Sequence, residues 1–171
     1  MPEISDSVEV VDLSNWPELV PNAQVLIKEF LLLDDSWVVL EGLGGNGVLP
    51  DFLNEELLNL PNCSPDGRGC VAVAKIDSTL AGTGQIRSYN LSICELKRMY
   101  VPSKFQSRGI GKLIVEFLKV KAVELGFDQM YLDVTTNRPG SILFYSAVGF
   151  RPCEALHEYR MPVVSMKMEL I

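Results

Sequence analysis

Two glycine clusters compete for the role of phosphate-holding loop in this chain of 171 residues. The first is "EGLGGNGVLP", where Gly42, Gly44 and Gly47 stand at the G-x-G-x-x-G spacing of a dinucleotide-binding turn, after a strand-like "SWVVL". The second is "SRGIGKLIVEFL", where Gly109 and Gly111 open an amphipathic segment and Lys104, Arg108 and Lys112 bring positive charge to the same end. A dinucleotide turn needs a preceding strand, a helix opening on it, and an acidic residue about 20 positions later. In the first cluster Pro50 comes just after the last glycine, and the acidic residue would fall in the loop "CSPDGRG". It therefore reads as a connection, one that can border a substrate site. The second cluster meets the required context: the strand "CELKRMYV" leads into it and a helix follows directly. Glycines without side chains let a ligand approach the backbone, and the N–H groups and dipole of a helix start favour an anion. The competing reading is that the glycines only relieve crowding where strand meets helix.

Other chemistries find little material. Cys63, Cys70, Cys94 and Cys153 are widely separated, with no C-x-x-C, and with the single histidine, His157, they make no zinc pattern. They read as buried thiols, and no metal is expected. One histidine and no G-x-S-x-G leave few routes to Ser-His-Asp or Cys-His catalysis. The net charge of -7 disfavours nucleic acid as a partner. It suits a cationic small molecule or a basic peptide, and equally it suits solubility alone. No apolar run approaches the roughly 20 residues of a membrane helix. The N-terminus lacks the basic and apolar regions of a signal peptide, so a cytoplasmic protein with no membrane partner is expected.

The elements that must position the second cluster can be read from periodicity. "SVEVVDL" is a first strand. "PNAQVLIKEFLLLDD" is a helix with Val25, Leu26, Phe30 and Leu33 near helical spacing, and "DFLNEELLNLP" is a second. Three strands follow, "GCVAVAKI", "AGTGQIRSY" and "SICELKRMYV", with turns at "DST" and "NLS". The next helix places Ile110, Leu113, Ile114, Phe117, Leu118 and Leu125 on one face and stops at Gly126. Then come the strand "DQMYLDVTT", a helix from near Pro139 to Gly149, and a last strand within "HEYRMPVVSMKMEL". The order β-α-α-β-β-β-α-β-α-β, with room for one more strand, predicts an α/β (α+β) fold with a mixed sheet. The length suits a single domain over residues 1–171.

At this point two segments resemble a known family. "VPSKFQSRGIGKL" is similar to motif A of the GNAT superfamily of N-acetyltransferases, Q/R-x-x-G-x-G/A, with Gln106, Gly109 and Gly111 in its places. "ILFYSAVGF" resembles the family's L-Y-x-x-x-G-F segment, with Phe144 in the Leu place and Tyr145, Gly149 and Phe150 matching. The resemblance implies a V-shaped opening between the fourth and fifth strands that takes acetyl-CoA. It implies that the backbone of Ser107, Arg108, Gly109, Ile110, Gly111 and Lys112 holds the pyrophosphate. It further implies that Met99, Tyr100 and Val101 run beside the pantetheine arm, with the Met99 N–H near the thioester oxygen. Asn137 resembles an asparagine that contacts the cofactor; its other reading is a helix-entry cap. Tyr145 resembles the acid that protonates the departing sulfur, against the alternative of a core residue. Glu95 resembles the strand-four general base, against a salt bridge with Lys97 or Arg98. His157 reads as a solvent-exposed loop residue, the alternative being a place in the acceptor site.

The function implied by the resemblance is acetyl transfer from acetyl-CoA to a primary amine of a small molecule or peptide. An acyl-CoA-binding or sensor module is the alternative, and a dinucleotide oxidoreductase a distant third. No motif names the acceptor, and a homodimer stays open.

Overall fold

The computed structural model describes residues 7–33, 48–159 and 162–170. The first glycine cluster and "SWVVL" lie outside the described residues. Those described form β1 (Val8–Asp12), α1 (Val20–Leu33), α2 (Asp51–Leu58), β2 (Cys70–Ile76), β3 (Thr79–Ser88) and β4 (Ile93–Tyr100). Then follow α3 (Ile110–Glu124), β5 (Gln129–Thr135), α4 (Pro139–Ala147), β6 (Arg151–Cys153) and β7 (Val163–Glu169). The element order is the expected one, the extra strand being the short β6. None of these helices is long and apolar enough to cross a membrane.

The described strands make one sheet in the order β1-β2-β3-β4-β5-β7-β6. It is mixed, as expected: β4 and β5 are parallel and the other neighbours antiparallel. The parallel pairing runs only from Ile93↔Gln129 to Glu95↔Tyr131. Beyond it Leu96–Tyr100 and Leu132–Thr135 part, and both stretches line the opening between them. This is the predicted V-shaped splay.

Turn chemistry fixes the strand register. Asp77 takes a left-handed φ of 52° in the β2–β3 turn, a conformation that Asp tolerates better than most residues. In the next turn the Asn90 side chain accepts from the N–H groups of Ser92 (2.9 Å) and Ile93 (2.8 Å), replacing the ladder partners that the turn removes.

Each face of the sheet carries its own core. One buries Ala72, Ile86, Leu96, Met130 and Met166 beneath Ile114 and Leu118 of α3. The other packs Val71 and Val73 against Ala23, Ile27 and Leu31 of α1 and Leu53 and Leu57 of α2. The helix faces differ in part from those read by spacing. In α1, Val25 and Leu33 are exposed, and the buried stripe is Ala23, Leu26, Ile27 and Leu31. In α3, Leu113 is exposed while Val115 and Ala122 are buried. Both helices carry apolar residues over more than one stripe, so spacing alone admits several faces, and the shape of the sheet selects one. The four cysteines are free thiols, two of them buried, and burial pushes the Cys63 and Cys94 thiols up to about 12.

Candidate active site

The second face of the sheet changes character along its width. Over β2 it is apolar and covered by α1 and α2. Over β3, β4, β5 and β7 the register sets Gln85 beside Lys97, Arg87 beside Glu95, and Asp133 beside Ser165, all on one face because directly paired residues point the same way. A cavity of about 330 Å³ opens on this polar stretch, lined by Arg87, Glu95, Lys97 and Asp133 and roofed by Phe30 and Phe52 of the helices.

A second cavity, of about 710 Å³, lies at the other end of the splay. Its lining includes Met99, Tyr100, Val101, Gln106, Ser107, Gly109, Ile110, Gly111 and Lys112. Nine of the eleven residues expected near a cofactor therefore share one wall. Arg108, in the same loop, is exposed and does not line it. Asn137 also stands apart: it is exposed, and its Oδ1 accepts the Thr135 hydroxyl at 2.6 Å. The cap position of α4 is Arg138, with Pro139 opening the helix.

Backbone conformation shapes the second cavity. One extra residue of β4 is accommodated opposite Gly84, where the register steps from Gln85↔Lys97 to Thr83↔Tyr100. Arg98 sits in this bulge with φ of 55°. A side chain at position 84 would collide with the Met99 sulfur and with Ile114, so glycine lets the bulged strand and α3 close on β3. Glu56 of α2 clamps the bulge, accepting from Arg98 Nε and Nη2 at 2.8 Å each and from Gln85 Nε2 at 3.0 Å. Burial alone would raise the Glu56 carboxyl, but Arg98 and Gln85 together hold it below its usual value. Glu56→Gln is expected to cost about 3 kcal/mol, because it strands the half-buried Arg98 charge. A carboxyl lowered in the folded state stabilises above its unfolded pKa and loses that contribution as pH falls through the folded value. Urea melts of wild type and variant should therefore differ at neutral pH and converge in acid; equal stability at neutral pH would remove Glu56 from this role.

At the start of α3, Ser107 has φ of 62° and Gly109 φ of 77°. Gly109 is the N-cap and supplies no side-chain hydrogen bond. A Cβ there would meet nothing within 4 Å. An uncapped helix start, open space above it, and exposed Lys104 and Lys112 fit an anionic group such as a pyrophosphate. At Gly111 a Cβ would press on the Phe144 ring at 3.1 Å, so this glycine also serves packing between α3 and α4. Gly109→Asp places a carboxylate over the helix start, where it caps the free N–H groups itself. The expected result is a loss of acetyl-CoA affinity of about tenfold or more with native circular dichroism. Unchanged affinity by calorimetry would take this loop out of the site.

Tyr145 lines both cavities, together with Met99, Ser141, Arg138 and Phe30. Its ring is held edge-on between Phe144 (5.1 Å) and Phe150 (5.7 Å). Burial pushes its hydroxyl above the ordinary phenol range, with Arg138 pulling slightly the other way. It keeps its proton at neutral pH.

Glu95 is only 4% exposed. Its Oε2 lies 2.9 Å from His157 Nε2 and 3.7 Å from Lys97 Nζ. Lys97 thus shares its face, the bulge falling one residue later, and Arg98 pairs with Glu56 instead. Burial first, then the neighbouring Arg87, pulls the Lys97 ammonium below its usual value. The placement of His157 departs from the loop-surface expectation. The connection between β6 and β7 folds back over the sheet and sets the ring against Glu95, edge-on to Tyr89 (5.3 Å) and Tyr159 (6.1 Å). The same connection brings the Tyr159 hydroxyl onto Asp133, which also accepts the Ser165 hydroxyl. Reading the sequence missed Tyr159 and Asp133 altogether. The available signal for Asp133 was an acidic residue inside the otherwise strand-like "DQMYLDVTT".

The chain is similar to known proteins. Residues 37–150 match the model of the acetyltransferase (GNAT) family. An uncharacterized N-acetyltransferase of Dictyostelium discoideum is 43% identical over 58 residues, 34% of this chain and 27% of that protein. One from Schizosaccharomyces pombe is 29% identical over 103 residues, 60% of this chain and 56% of that protein. The match thus spans about a quarter of the length of the first relative and about half that of the second. Among solved structures, an acetyltransferase from Streptococcus agalactiae superposes with a TM-score of 0.69 at 15% identity, covering 95% of this chain and 98% of that one. A GNAT family acetyltransferase from Elizabethkingia anophelis, solved with acetyl-CoA bound, gives a TM-score of 0.53 at 19% identity over 74% of this chain and 94% of that one. The structural likenesses show the fold, the family model covers most of the chain, and the chain belongs to the GNAT acetyltransferase family.

Proposed function

We propose that this protein is an N-acetyltransferase that moves an acetyl group from acetyl-CoA to a primary amine by direct attack. The observation that carries this reading is the place of Tyr145, at the one wall common to the glycine-loop cavity and the polar chamber. Acetyl-CoA supplies an activated thioester. The backbone N–H groups at the start of α3 hold its pyrophosphate, and Met99 to Val101 run beside its arm. The Met99 N–H stabilises negative charge on the thioester oxygen. Tyr145 donates its proton to the departing sulfur. Glu95 takes the proton that the amine must lose, and His157, half-exposed at 37%, passes it to solvent.

The acceptor is a small amine or a peptide amine. The test is a panel of amines with acetyl-CoA and a free-thiol readout, alongside melting curves. Acetyl-CoA raises the melting temperature by mass action while NAD does not, and thiol release depends on the amine. Binding without release for any amine would make the protein an acyl-CoA-binding module.

A further inference from the structure

The polar chamber holds charge that acetyl transfer alone does not use. Arg87 lines it, half-buried on β3, directly beside Glu95 in the β3–β4 register. Among the described residues no carboxylate forms an ion pair with it: Glu95 is taken by His157 and Lys97, and Glu56 by Arg98. Asp133 is taken by two hydroxyls. Lys97 stands diagonally across from Arg87 on the same face, a separation of about 7–8 Å between Cα atoms in a pleated sheet. Arg87 and Lys97 thus face the same cavity, and the Lys97 ammonium is lowered first by burial and then by the neighbouring Arg87. A partly desolvated guanidinium calls for an anion, and the fork of an arginine matches a carboxylate with two parallel N–H···O bonds. The surrounding protein, at net charge -7, does nothing to attract one. The attraction is local to the chamber.

We infer that Arg87, with Lys97 beside it, is the binding site for a carboxylate on the acceptor, so that the acceptor is an amino acid and not a simple amine. Position sets the polarity of binding. The reacting amine must lie at the β4–β5 opening, where Tyr145 and Asp133 meet the chamber. The carboxylate lies toward β3, two strand spacings from β5, or about 10 Å. An arginine side chain reaching inward from β3 covers most of that span. The substrate class is therefore α-amino acids and short ω-amino acids. This inference rests on the proposed acetyl transfer for its meaning, but its test does not depend on turnover.

The protein is saturated with coenzyme A, which cannot donate an acetyl group, and titrated calorimetrically with α- and ω-amino acids. Each acid is compared with its carboxamide and its decarboxylated amine. The expected result is that at least one acid binds about tenfold or more tightly than both neutral counterparts. Arg87→Gln abolishes that preference while coenzyme A affinity is kept; Arg87→Lys retains part of it. If every acid binds no better than its neutral counterparts, or none binds, the carboxylate site is wrong. A preference that survives Arg87→Gln also overturns it. The two readings fail separately. Neutral amines that bind equally well and are acetylated would remove the carboxylate site and leave transfer standing. Acid-selective binding with no thiol release from acetyl-CoA would do the reverse.

Discussion

Replacing Tyr145 with Phe should lower turnover by about 10-fold to 10⁴-fold, with acetyl-CoA affinity nearly unchanged. The substitution keeps the ring and its edge-on contacts with Phe144 and Phe150, and it removes only the hydroxyl. Tyr145 lines both cavities, so in the proposed reaction its hydroxyl meets a sulfur leaving one side as an amine arrives from the other. Burial holds this hydroxyl above the ordinary phenol range, so it carries its proton at neutral pH. An interaction made only as the thiolate forms affects kcat and not ground-state binding. Equal loss of affinity and rate would instead make Tyr145 a wall of the acetyl-CoA cavity.

The second large effect concerns proton removal. Glu95→Gln should slow transfer at neutral pH by about 10²-fold or more, and raising the pH should restore much of the rate by deprotonating the free amine without help. His157→Gln should act in the same direction and less strongly, since Glu95 still faces the chamber when its imidazole partner is gone. The check is a pH–rate profile of kcat/KM for wild type and both variants. A drop of the same size at every pH would mean that Glu95 and His157 only position the chamber wall.

The parts of this site that follow from backbone chemistry were legible from neighbouring residues. An anion loop needs glycines at a helix start just after a strand, and those requirements fall within the run from Met99 to Lys112. The splay was legible only through the family resemblance; in the structure it appears where the parallel β4–β5 pairing ends at Glu95↔Tyr131. The Tyr145 position was legible only through its match to a longer pattern; α4 itself is apolar enough to pass for core.

What could not be read are contacts between distant residues. His157 is 62 positions from Glu95, and Glu56 is 42 from Arg98. Nothing in local spacing selects one such pair over another, because tertiary packing decides it. The connection carrying His157 looks like surface loop in sequence, and becomes chamber wall only because β6 and β7 return it over β4. Arg87 was hidden for a related reason: its significance lies in which carboxylates are already occupied. Asn137 accepts the Thr135 hydroxyl, a contact that its place beside a strand end did not announce.

Initial rates of thiol release with acetyl-CoA and an amine acceptor both varied bear most directly on the central claim, which is direct transfer at a junction of two cavities. Both substrates must be present together at Tyr145, so the predicted double-reciprocal lines intersect and no thiol is released in a burst without acceptor. Parallel lines, with a burst of thiol before any amine is added, would show an acyl-enzyme and contradict direct attack; release that never depends on the amine would contradict transfer itself.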